Sequence, residues 1–160
     1  MEADHQVRRQ LNELRGSNSL IVVIGNTLKA DDGVGPLVCR ELEGKVYTEL
    51  IDAGTVPENY IQSVIQKKPR NLIIIDAVDF GASAGTIKIF RPDQLASVVH
   101  STHSLSPHLF IEMIKKSIDV DVYFVGIQPA HVNFGQCPCA EVKEAAAWLI
   151  DAFCDIFCKV

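Results

Sequence analysis

The sequence has no apolar run approaching the roughly 18 residues of a membrane-spanning helix, so a helical membrane protein is excluded. Positive charge is in short supply. Fifteen Lys and Arg face 20 Asp and Glu, a net charge of −5, which argues against a histone-like protein or a basic nucleic-acid binder. Residues 1–16 lack the apolar core of a secretory signal and carry Glu2, Asp4 and Glu13. They are expected to form a polar lead-in, an extra helical turn or two, ahead of one domain over 17–160. Cysteine is scarce and odd in number: Cys39, Cys137, Cys139, Cys154 and Cys158. A chain of this length can build a core without staples, so reduced thiols in a cytoplasmic protein are expected. Cys154 and Cys158 are four apart, on one side of an expected helix. A zinc site shared with Cys137 and Cys139 would lack the usual C-x2-C spacing, and buried thiols or an apolar dimer-facing side fit better.

Several catalytic signatures are missing too. Gly25 and Gly33 stand eight apart, not in the G-x-G-x-x-G register, and Asp31 and Asp32 put negative charge where a pyrophosphate needs backbone donors. The P-loop, the G-x-S-x-G elbow and H-E-x-x-H are absent, and no cysteine sits at a strand-to-helix turn. No nucleotide or organic cofactor is expected.

What is present is apolar sequence: 48% hydrophobic residues and a mean hydropathy of +0.15. It comes in short β-branched runs suited to strands covered on both faces. Strands are predicted at Leu20–Ile24, Lys45–Ile51, Leu72–Ile75, Thr86–Phe90 and Val120–Val125. Helices are predicted from Gly35-Pro36 to about Glu43, from Pro57 to about Lys68, from Ser106-Pro107 to about Lys116, and over Ala140–Phe157; proline is tolerated in a first turn. The alternation predicts an α/β three-layer sandwich: a twisted central sheet of about five strands, mostly parallel but mixed, with helices on both faces. Thr86–Phe90 follows Leu72–Ile75 after a gap too short for a crossover helix and is expected to run antiparallel.

Ligands of such sheets collect beyond the carboxyl ends of the strands. Three polar clusters fall there: Gly25-Asn26 with Asp31-Asp32-Gly33-Val34-Gly35, then Asp76 and Asp79, then His100, His103 and His108. Each has a plain explanation. Asp-Gly at 32–33 is a common turn pair, Asp76 can cap a turn, His103 can be an ordinary polar residue before a helix, and Glu58 is favoured at a helix start by the dipole. Yet an aspartate directly after four aliphatic residues is unusual. Two carboxylates and an imidazole from three loops suit a divalent transition metal with open positions. They equally suit general acid/base chemistry on paired carboxylates, and both readings stay open at the level of residue types.

The motifs taken in order resemble the hydrogenase maturation endopeptidases, which trim the C-terminal extension from the large subunit of nickel–iron hydrogenases. They are Ile24-Gly25-Asn26-Thr27-Leu28 with Asp31-Asp32-Gly33-Val34-Gly35-Pro36; Asp52-Ala53-Gly54-Thr55 with Pro57-Glu58-Asn59; Ile75-Asp76-Ala77-Val78-Asp79; Ser101-Thr102-His103-Ser104-Leu105-Ser106-Pro107; and Gly126-Ile127-Gln128-Pro129. The resemblance runs from Leu20 to about Trp148. The Gly54–Asn59 and Ile127–Pro129 stretches are most similar to the branch acting on hydrogenase-3-type subunits, which in archaea includes relatives acting on coenzyme-F420-reducing hydrogenases.

The resemblance implies that Asp32 (a glutamate in some members), Asp76 and His103 are the metal-contacting residues. Asp32 and Asp76 are also the candidate catalytic groups, and Asn26, Gly54, Glu58, Asn59 and Gln128 are expected to contact substrate. It implies nickel carried in by the precursor and a folded large-subunit precursor as partner; the enzyme itself is expected to be a monomer with at most weak self-association. Water activation by a carboxylate and metal polarisation of the scissile carbonyl are the two implied mechanisms. Val132 and Phe134, near His131, are expected to supply apolar docking surface. The competing readings are a nickel escort that cuts nothing and a related peptidase with another substrate.

Overall fold

The computed structural model describes residues 2–98 and 106–159. The β-branched runs form the five strands β1 (Ser19–Val23), β2 (Glu49–Asp52), β3 (Asn71–Ala77), β4 (Ile87–Phe90) and β5 (Asp121–Ile127), in the order β2-β1-β3-β5-β4. The first four of these are parallel, and β4 pairs antiparallel with β5. The mixed α/β sandwich expected from the alternation is therefore the observed fold.

Side chains alternate across the sheet. Ile21, Val23, Ile73, Ile75 and Val125 face one layer, made of α1 (Glu2–Asn12), α2 (Val34–Leu42) and α6 (Ala140–Ile156). Leu20, Val22, Leu72, Ile74 and Phe124 face the other, made of α3 (Ile61–Lys67), α4 (Pro92–Val98) and α5 (Pro107–Lys115). The sequence of α6 shows why it closes the first layer. Val142, Ala145, Ala146, Leu149, Ala152, Phe153 and Ile156 recur at helical spacing and are all buried.

Several elements differ from expectation for physical reasons. The lead-in is an 11-residue helix rather than a turn or two, with Val7 and Leu11 buried in the α2–α6 layer. The loop after β1 contains a 3-10 turn, η1 (Ala30–Gly33), whose residues are all buried. The predicted strand over 45–51 begins only at Glu49, because Val46 makes an isolated antiparallel bridge to Cys158. The helix expected from Pro57 to Lys68 divides into a 3-10 turn, η2 (Pro57–Tyr60), and α3. Cys158 lies beyond the last residue of α6, so it shares no helix face with Cys154. α4 had no sequence signal.

Candidate active site

The site is built where β1 and β3 end. Beyond β1, the Ile24 N–H donates to the Ile75 carbonyl at 2.9 Å, and the Gly25 N–H donates to the Gly54 carbonyl at 2.9 Å. The chain then folds back so tightly that a Cβ on Gly25 would lie 2.2 Å from the Asp32 carbonyl oxygen. A Cβ on Gly35 would lie 2.5 Å from the Ile24 carbonyl oxygen and 3.2 Å from that of Ile75. Two glycines thus let η1 and the start of α2 seat directly on the strand ends. Ala30 completes the turn with a left-handed backbone, φ +49°, uncommon for a residue with a Cβ.

This packing buries Asp32, 1% exposed, and the Asn26 N–H donates to its Oδ2 at 3.2 Å and to its carbonyl at 3.0 Å. Asp76 does not follow its strand, as expected, but sits within it opposite Gly126, fully buried. Alternation aims it to the same side as Leu72 and Ile74, the face that α5 covers. Because η1 packs against β3, both carboxyls are buried at one end of the central strands. His103 and His100 lie outside the described residues. Ser106 Oγ accepts the Leu109 N–H at 3.2 Å and caps α5 on the Asp76 side of the sheet. His108 instead pairs with Glu112 along α5, 3.1 Å away.

The expected substrate contacts divide into rim and support. Glu58 and Asn59 are exposed on η2, and Gly54 turns beside Gly25 with φ +56°. The Asn26 carboxamide oxygen accepts the Leu28 N–H at 2.9 Å. Gln128 is buried and faces inward: its Oε1 accepts the Phe80 and Ala82 N–H groups, and its Nε2 donates to Asp79 Oδ1 and the Pro129 carbonyl. It braces the turn after β3. Phe134 is 70% exposed and Leu28 67%, whereas Val132 and His131 are half-buried.

Asp31 stands in the first polar cluster of the sequence but had no role of its own there. Its carboxylate accepts backbone N–H groups from Ala130 (2.7 Å), His131 (3.1 Å) and Cys139 (2.6 Å). Burial alone would raise this carboxyl, but the three N–H donors outweigh it and hold it below its ordinary value. Nothing in the local sequence distinguishes it from Asp32, since its donors lie about a hundred residues downstream.

Among the described residues no three His, Cys, Asp or Glu are grouped to hold a metal. A desolvated carboxylate favours either a bound cation or a retained proton, and Asp32 and Asp76 are both buried. No described helix is long and apolar enough to cross a membrane.

The family model for hydrogenase maturation protease matches residues 36–156. The hydrogenase 3 maturation protease of Escherichia coli K12 is 34% identical over 129 residues, covering 79% of this chain and 82% of the relative. The solution structure of the endopeptidase HycI from Escherichia coli superposes with a TM-score of 0.78 at 31% identity, over 86% of this chain and 90% of the other. The crystal structure of a [NiFe] hydrogenase maturation protease HycI from Thermococcus kodakarensis KOD1 gives 0.82 at 27% identity, over 92% and 97%.

Proposed function

The chain belongs to the hydrogenase maturation protease family of peptide-bond hydrolases, and from that premise we propose that it removes the C-terminal extension of a nickel–iron hydrogenase large-subunit precursor after nickel insertion, recognising the nickel the precursor carries. The observation behind this reading is the pair of buried carboxylates, Asp32 and Asp76, at the ends of the central strands.

Nickel is part of the substrate in this scheme. Two carboxylates and an imidazole form a mixed oxygen and nitrogen set suited to it, and three ligands leave room for the donors the precursor retains. Binding the precursor-held ion fixes the scissile peptide next to Asp32 and Asp76, so that positioning supplies much of the rate. One carboxylate takes the proton of the attacking water and passes it to the amine that leaves as the C–N bond breaks. Carboxylate oxygens are weak enough nickel ligands to let the product leave. Glu58, Asn59 and Gly54 form the rim along which the extended peptide lies, and Gln128 keeps the turn after β3 in place behind it.

The test is the intact mass of a nickel-loaded precursor incubated with this protein, with metal-free precursor and Asp76→Asn enzyme as controls. Loss of one discrete C-terminal peptide, only with nickel loaded and Asp76 present, is the expected result. In cells, the Asp76→Asn variant should accumulate an unprocessed precursor that still contains nickel. A metal-poor precursor would point to the escort role instead.

A further inference from the structure

Asp31 joins two distant parts of the chain. Its Oδ2 accepts the Ala130 and His131 N–H groups and its Oδ1 the Cys139 N–H, so one carboxylate holds both ends of the 130–139 loop. Its own N–H donates to the His131 carbonyl at 3.3 Å, and the Gly135 N–H donates to the Leu28 carbonyl at 2.9 Å. The loop is therefore fastened at its base to η1 and near its tip to the turn before η1. Between those fastenings stand exposed Phe134 and Leu28, on adjoining backbones, with the Lys29 ammonium 5.2 Å from the Phe134 ring centre. A large aromatic and a leucine this exposed form an apolar lip on the turn that holds Asp32, since the Leu28 N–H donates to Asn26 Oδ1 and the Asn26 N–H to Asp32 Oδ2.

We propose that Asp31 is a positioning residue that locks the 130–139 loop, so that Phe134 and Leu28 form one lip beside Asp32 that receives an apolar side chain of the precursor. This inference rests on the proposed function. A loop of this kind has few contacts of its own, and three charge-assisted bonds to one buried carboxylate supply what its composition does not. Asp31 is consecutive with Asp32, so the lip and the site share one rigid turn. Asp31 acts on binding through the loop and takes no part in the chemistry.

The experiment is a double-mutant cycle on cleavage of nickel-loaded precursor, using wild type, Asp31→Asn, Phe134→Ala and the double variant. Each single change is expected to raise KM roughly tenfold, as for one lost apolar contact, with kcat nearly unchanged. The double variant should be no worse than Asp31→Asn alone, because Phe134 is already misplaced in it. Effects that multiply, or a fall in kcat at constant KM, would overturn the proposal. Hydrogen exchange of the wild-type protein tests the lock without any variant. The Ala130, His131 and Cys139 amides should exchange slowly and together, and exchange at free-loop rates would equally overturn it. If wild-type protein cleaves no precursor, the proposed function has failed and the exchange result alone judges the lock.

Discussion

A single methyl group added at Gly35 would press on the Ile24 and Ile75 carbonyl oxygens, backbone atoms that cannot swing aside. Gly35→Ala should therefore cost about 1–3 kcal/mol and displace η1, lowering both the urea midpoint and the cleavage rate. Cys39 gives a second test at this scale. Burial, with the charges of Asp52 and Glu43, pushes its thiol up to about 11, so it stays neutral at ordinary pH. Exposed Cys137 and Cys158 should be alkylated first, and Cys39 only after unfolding, as read by mapping the modified peptides. Legibility at this scale depended on distance along the chain. Asp76 stood out because four aliphatic residues precede it, a local pattern. The roles of Asp31 and Gln128 depend on partners 99 and 48 residues away, and no local pattern encodes them.

Among the elements, strands announced themselves by β-branched runs, and α6 by its periodic apolar face. The antiparallel direction of β4 also followed from a short connection, but its neighbour did not. β5 lies between β3 and β4, so the pairing partner comes later in sequence. α4 was invisible because its seven residues are too few to show a periodic apolar face; its start is set by the Gln94 side chain accepting the Arg91 N–H at 2.8 Å. The first helix yields a prediction of its own. Leu11 is fully buried against the α2–α6 layer, and Leu11→Ala should cost about 2–5 kcal/mol in denaturant unfolding. The same helix region is fastened by Arg8 and Arg15 to Asp155, at 2.9 and 3.0 Å. The hydrogen bond from Arg15 leads in holding the Asp155 carboxyl below its ordinary value of 3.8. A carboxyl whose folded value is depressed contributes stability above its unfolded value and loses it as pH falls through the folded one. The melting-temperature gap between wild type and Asp155→Asn should therefore be present near neutrality and disappear on acidification below about 3.8, and salt should narrow it.

For the molecule as a whole, the place of the candidate site followed from topology: parallel strands of an open sheet present their carboxyl ends to ligands, and Asp32 and Asp76 lie at those ends. Its depth was not. Asp-Gly at 32–33 reads as a surface turn, and only the close approach at Gly25 and Gly35 turns it into a buried one. Burying two carboxylates costs stability that a catalytic role can repay. Asp76→Asn is accordingly expected to leave the melting temperature equal or higher while lowering precursor cleavage by at least about 100-fold, measured side by side by calorimetry and mass spectrometry.

The bond between Asp31 and Cys139 spans 108 residues, and that between Arg8 and Asp155 spans 147. During synthesis the floor of the site, from Ile24 to Asp76, leaves the ribosome long before the loop that borders it. The growing chain is thus without a finished mouth until its last helix begins to emerge. The border of the candidate site thus waits on a residue made 108 positions after the one that anchors it.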